Sequence, residues 1–259
     1  MLTVQGLSHP GKRKTNEDAM SWDVALGCVA IADGMGGHQA GEVASRLALE
    51  SIFWFLRKSA STSEFTWPFG VDPQLSLAAN RLRTAVKIGN RRVFKRSEEH
   101  VEYAGMGTTV VALLVEGMTL TYASVGDSRL YSFSEGRLEQ LTRDDTWAVM
   151  LAADRNIPPE VIQAHPMRNV LTSVLGAFPD LEVTTTDVTA ADQLLLLCSD
   201  GLHTAVTHET IADILARERE LSRAVEALVT TALEGGASDN VTAVLVQSGG
   251  NGDRHGPLP

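Results

Sequence analysis

The stretch Trp22-Asp-Val-Ala-Leu-Gly-Cys-Val-Ala-Ile-Ala32 runs directly into Asp33-Gly-Met-Gly-Gly-His38. A continuous apolar run of this kind reads as one strand over 22–32, buried on both faces. It ends by handing a carboxylate, Asp33, to a glycine-rich turn. Beyond the turn, Val43, Leu47, Ile52 and Phe55 fall at helical spacing and predict a helix over 42–57. The same device recurs along the chain. The apolar run 120–125 ends at Asp127, the run 194–198 ends at Asp200, and Asp239 stands at the start of a last strand over 241–246. Glu17 and Asp18 sit in a polar turn after Arg13. If these strand ends converge, six carboxylates meet.

Working outward, residues 2–8 read as a first strand and 58–72 as a surface connection. Pro73 suits the first turn of a second long helix reaching residue 96, with Leu77, Leu82, Ala85, Ile88 and Val93 among polar neighbours. From 107 to 141, β-branched runs broken at Glu116-Gly117 and Glu135-Gly136 predict consecutive antiparallel strands with tight turns. A small helical insertion over 144–165, containing Pro158-Pro159, precedes a sheet that resumes near Val170. Further strands are expected at 182–188 and 193–198, and helices at 208–217 and 221–233. No internal repeat is visible. A single domain over 1–247 is expected, with residues 248–259 as a disordered, Gly- and Pro-containing tail.

With 44% hydrophobic and 21% charged residues, the 259-residue chain has the composition of a soluble globular protein and not of a disordered or fibrous one. Cys28 and Cys198 are too few for a disulfide framework and read as buried apolar thiols, which fits a reducing compartment. No run approaches the roughly 18 apolar residues of a membrane span, and Met1-Leu-Thr-Val-Gln-Gly6 lacks the regions of a signal peptide. A cytoplasmic location is the expectation. The net charge of −10 repels nucleic acid and anionic membranes. The acids could instead hold metal: clustered carboxylates raise one another's pKa unless cations neutralise them, and an oxygen-only set favours magnesium or manganese over zinc. Taken singly, each acid can equally be a turn residue.

Seven motifs in order carry a family resemblance: Arg13-Lys-Thr-Asn-Glu-Asp18, Ala32-Asp-Gly-Met-Gly-Gly-His38, Gly107-Thr-Thr109, Val125-Gly-Asp-Ser-Arg129, Asn169-Val-Leu-Thr172, Cys198-Ser-Asp-Gly-Leu202 and Ser238-Asp-Asn240. Together they resemble metal-dependent type 2C (PPM) serine/threonine phosphatases, most closely the compact bacterial branch. The resemblance implies an α+β fold, a four-layer α-β-β-α sandwich with two central antiparallel sheets flanked by helices. It implies two Mn2+ or Mg2+ ions and a weaker third. Asp33 would bridge two ions, with Gly34 giving its carbonyl to one and Asp200 and Asp239 holding the other. Glu17 and Asp18 would act through water, and Asp127 would share the third ion with Asp200. Asn240 would support these ligands from behind.

Two divalent ions acidify a bridging water and orient it for in-line attack on phosphorus, so no protein nucleophile is needed. Arg13 offers a planar fork to phosphate oxygens, or else is a solvated member of Lys12-Arg-Lys14. His38 is the candidate general acid, with metal-bound water as its rival, because eukaryotic relatives carry their histidine where this chain has Met35. Residues 144–168 match a flap beside the cleft, with Asp145, Trp147 and Arg155 as candidate substrate contacts. Bacterial relatives usually read Asp-His-Ser where this chain reads Asp144-Asp-Thr146.

The implied function is hydrolysis of phosphoserine and phosphothreonine in proteins, by a monomer opposing a serine/threonine kinase. Two alternatives are a phosphatase of an anti-sigma-factor antagonist and a catalytically silent phosphoprotein-binding module. The complete acid set argues against the silent module.

Overall fold

The computed structural model describes residues 2–37, 39–61, 66–153, 157–189 and 193–248. Eleven strands, seven α-helices and one short 3-10 helix (Val101–Tyr103) are assigned among them. One sheet joins β1 (Leu2–His9), β11 (Val241–Ser248), β10 (Leu194–Cys198), β7 (Arg129–Ser134) and β8 (Arg137–Gln140) in that order. The other joins β2 (Asp18–Asp23), β3 (Cys28–Met35), β5 (Val110–Glu116), β6 (Thr119–Val125) and β9 (Thr185–Thr189), with the short β4 (Gly107–Thr108) on the end of β3. Every pairing is antiparallel.

The period of two in a strand explains the four layers. In β3, Val29 and Ile31 point between the sheets, whereas Cys28, Ala30 and Ala32 face the helices α1 (Ala40–Ser61) and α2 (Leu77–Glu99). In β10, Leu195 and Leu197 enter the inter-sheet core. Leu194, Leu196 and Cys198 pack instead with residues of α5 (Asp200–His203), α6 (His208–Arg217) and α7 (Leu221–Glu234). Strands covered on both faces are therefore apolar at every position, as the sequence pattern requires. The expected α-β-β-α sandwich is the observed fold.

Several expected boundaries change. The run 22–32 is not one strand but the β2–β3 hairpin: Gly27 turns with φ +71°, its N–H donates to the Val24 carbonyl, and the Leu26 N–H donates to Asp23 Oδ1. A side chain at Gly27 would place Cβ 2.3 Å from the Val115 carbonyl oxygen, so the turn needs glycine. The second helix starts at Leu77 and not at Pro73, because the Ser76 hydroxyl caps it by accepting the Ala79 N–H. The sheet does not resume near Val170, where only the isolated bridges Thr146–Leu171 and Thr108–Leu175 form. The strand expected at 182–188 begins at Thr185. Ser248, assigned to the tail by composition, closes β11 opposite Leu2. The rest of the expected tail lies outside the described residues.

The insertion between β8 and β9 does carry two short helices, α3 (Trp147–Leu151) and α4 (Pro159–Ala164). Cys28 and Cys198 are free and fully buried. Among the described residues, no helix is long and apolar enough to cross a membrane.

Candidate metal centre

Strand pairing brings the acids together. The β2–β3 register sets Asp18 opposite Asp33, and the β10–β11 pairing delivers Ser199-Asp200 beside Asp239-Asn240. A cleft of about 490 Å3 is lined by Glu17, Asp33, Asp127, Asp200 and Asp239, with Arg13 at its edge. Asp18 and Asn240 stand behind this wall.

The backbone of Asp33 is fixed from several directions. Its N–H donates to Thr109 Oγ1 (3.0 Å), and its carbonyl accepts from Thr108 Oγ1 (2.9 Å) and the Thr109 N–H (2.9 Å). Gly34 is obligatory for packing: a Cβ there would lie 2.0 Å from the Gly41 carbonyl oxygen in the first turn of α1. Asp18 Oδ2 accepts from Ser199 Oγ (2.8 Å) and Thr242 Oγ1 (2.5 Å). Asn240 stitches the 10–17 loop to β11, accepting the Glu17 N–H at Oδ1 and donating from Nδ2 to the Pro10 and Thr15 carbonyls.

The electrostatics are those of clustered, buried acids with Arg13 as a nearby cation. Burial, then the charges of Asp18, Asp200, Asp127 and Asp239, hold the Asp33 carboxyl well above the usual carboxylate range. Burial pushes Asp127 up to about 7, with Asp200 and Asp144 adding to the rise. Asp18 is pushed up to about 6, chiefly by burial, against the pull of the Thr242 and Ser199 hydroxyls. Burial also raises Asp200, with Asp239 adding to it, and raises Glu17 despite the nearby Arg13. Glu17 Oε1, Asp18 Oδ1 and Asp200 Oδ1 are buried without a hydrogen-bond partner.

Unpaired buried carboxylate oxygens are costly, and hard divalent cations are the partners that match them. Among the described residues, no three His, Cys, Asp or Glu side chains form a group that could hold an ion by themselves. The acids share a cleft and not a closed shell, so side-chain carboxylates alone do not fill a coordination sphere there. As oxygen donors the residues fit hard cations.

Of the expected site residues, Arg13, Glu17, Asp33, Gly34, Asp127, Asp200 and Asp239 all line the cleft. Arg13 Nη2 is bound to Asp239 Oδ2 at 2.7 Å. Asp145 turns its carboxylate to the Gly126 N–H (3.0 Å), and Trp147 stacks on His165 with the rings 13° from parallel. Neither lines the cleft. His38 and Arg155 lie outside the described residues.

The opposite wall comes from the far end of the insertion, Asn169, Val170, Leu171 and Val174. The sequence motif flagged Asn169–Leu171 without giving them this position. His203 went unread. It lies one helical turn after Asp200, donates from Nε2 to the Asp127 carbonyl (3.0 Å), and is held down at about 4 by burial and by Arg129. It is therefore a neutral donor near pH 7. Its spacing from Asp200 was the available signal.

Comparison with known proteins bears on the family and the fold. The family described as Protein phosphatase 2C is matched over residues 5–245. The chain is 37% identical over 234 residues to the serine/threonine protein phosphatase PstP of Mycobacterium tuberculosis, covering 90% of this chain but only 42% of that protein. It is 35% identical to the serine/threonine phosphatase stp of Listeria welshimeri, covering 85% and 83% of the two chains. The crystal structure of M. tuberculosis PstP/Ppp superposes with a TM-score of 0.81 at 35% identity, covering 95% of this chain and 98% of that one. A catalytic domain of PstP in complex with two manganese ions superposes with a TM-score of 0.78 at 35% identity, covering 95% and 97%.

Proposed function

Because the chain belongs to the protein phosphatase 2C family, we propose that it is a divalent-metal-dependent phosphatase acting on phosphoserine and phosphothreonine in proteins, in opposition to a serine/threonine kinase. One observation carries the reading: buried, partnerless carboxylate oxygens of Glu17 and Asp200 in a cleft whose edge carries a half-exposed arginine. Such a cleft attracts cations and, once they are bound, a phosphate.

Asp33, Asp200, Asp239 and the Gly34 carbonyl would hold two manganese or magnesium ions, with Glu17 and Asp18 acting through water. Asp127 and Asp200 would hold a weaker third. Bound there, the ions supply Lewis acidity that activates water for in-line attack and offsets phosphate charge. The chain's own groups do the rest. Thr108 and Thr109 lock the Asp33 backbone, so its carboxylate loses little freedom on ligation. Arg13 leaves Asp239 for two phosphate oxygens, where its fixed fork orients the group. Asn240 keeps the Arg13 loop at the right distance. His38 is assigned the proton delivered to the departing serine or threonine oxygen.

The test is hydrolysis of a phosphothreonine peptide with and without Mn2+. Turnover that appears with Mn2+ and disappears with chelator is expected. No release of phosphate in saturating Mn2+ would overturn the reading.

A further inference from the structure

Two adjacent acids at the start of the flap are spent on different partners. Asp144 takes a bidentate bond from Arg129, whose Nε and Nη2 donate at 3.0 and 2.7 Å. Asp145 reaches instead to the turn that carries Asp127. Its Oδ2 accepts the Gly126 N–H at 3.0 Å, while its own N–H donates to the Gly126 carbonyl at 2.8 Å. The same residue's carbonyl accepts the Thr172 N–H at 2.8 Å. Asp145 thus joins three segments: the Gly126-Asp127 turn, the outgoing end of the flap, and the returning end whose Asn169, Val170 and Leu171 form the cleft wall.

Gly126 is equally constrained on its other side. It has φ +98°, and a Cβ there would lie 2.6 Å from Thr109 Cγ2. Thr109 in turn holds the Asp33 N–H. A continuous line of contacts therefore runs from the flap through Asp145, Gly126 and Thr109 to Asp33. The Trp147 N–H on the Val170 carbonyl and the Ala148 N–H on the Arg168 carbonyl tie the two ends of the flap to each other.

We propose that Asp145 is a positioning residue, the pin whose bond to the Gly126 N–H sets the separation between the flap's cleft wall and the Asp127 carboxylate. One side chain then governs both how a phosphoprotein seats against the flap and how Asp127 meets its ion. The proposal rests on the phosphatase reading for its functional consequence, but the pin itself is a property of the metal-free chain. A small substrate such as p-nitrophenyl phosphate meets less of the flap-borne wall than a phosphoprotein does, so the two substrates should separate.

Asp145→Ala deletes the acceptor, and Asp145→Ser leaves it one atom short. Asp145→Asn keeps an oxygen in place. Gly126 amide exchange in metal-free protein should speed up about tenfold or more with Ala and Ser and stay near wild type with Asn. With Mn2+, Ala and Ser should raise KM for a phosphopeptide about fivefold or more, leave KM for p-nitrophenyl phosphate within about twofold, and raise the Mn2+ concentration for half-activation. Asn should restore all three. Unchanged Gly126 exchange in the Ala and Ser variants overturns the pin, and so does an Asn variant as impaired as Ala, since charge and not the hydrogen bond would then matter. Equal KM losses on both substrates overturn the flap role. A wild-type protein inactive on phosphopeptides in Mn2+ would overturn the phosphatase reading instead, with the exchange result still deciding the pin.

Discussion

Arg13 and Asp239 form an ion pair across the mouth of the cleft, Nη2 to Oδ2 at 2.7 Å, with side chains 58% and 38% exposed. A pair this open to water contributes little to stability, about 0–1 kcal/mol. What it does hold is a planar cation at the edge of an acid cluster, where the phosphatase reading has a phosphate enter.

If the guanidinium holds phosphate in both ground and transition states, Arg13→Ala should lower kcat/KM for a phosphopeptide by roughly 10- to 100-fold, mainly through KM. Tm should scarcely move. Kinetics identical to wild type would leave Arg13 a solvated surface residue.

Asp200→Asn and Asp239→Asn each replace a charged ligand by a neutral group of nearly the same volume. Turnover in saturating Mn2+ should fall by roughly 100-fold or more, with the fold retained by circular dichroism. Activity within about tenfold of wild type for both variants would rule out a mechanism in which these acids hold the ions.

The raised carboxyls set the sign of the pH dependence of the metal-free protein. Asp18, at about 6, and Asp127, at about 7, bind protons more tightly folded than unfolded. Between the ordinary carboxylate range and these values the native state keeps protons that the unfolded chain releases, so stability is greatest at low pH and is lost as pH rises through 6 to 7. In chelator, Tm should climb as pH is lowered from 8 to about 5, until other acids titrate. Mn2+ should raise Tm more at pH 8 than at pH 5, because fewer protons then compete with the ion for the carboxylates. A chelator Tm that falls steadily from pH 8 downward, or one that Mn2+ leaves unchanged, would show that burial and crowding do not raise these carboxyls in the folded protein.

Asp33, Asp127 and Asp200 were legible because each stands at the end of an apolar run and Asp239 because it stands before one, whereas Glu17 and Asp18 showed only through the motif that begins at Arg13. Their environment was not. The hydroxyls that hydrogen-bond Oδ2 of Asp18 come from Ser199 and Thr242, and only the β10–β11 register brings them there. The β2–β3 hairpin was hidden because Val24, Ala25 and Leu26 continue the apolar pattern through the turn, leaving Asp23 and Gly27 as the only punctuation. Asp145 was readable as a flap residue, but its partner Gly126 lies on another strand end, and nothing in a window around either residue announces the bond.

His38 follows the Asp33 turn and is best tested through the leaving group. The phenolate of p-nitrophenyl phosphate departs readily without a proton, whereas a serine alkoxide is a far poorer leaving group and gains more from a general acid. If His38 donates that proton, His38→Gln should slow hydrolysis of a phosphoserine peptide by roughly 100-fold while affecting p-nitrophenyl phosphate much less. The pH profile for the peptide should change as well, since the titrating donor is gone. Equal losses on both substrates would point to a displaced Asp33, because a misplaced ligand penalises every substrate alike. No loss on either would pass the proton to water and leave His38 without a catalytic part.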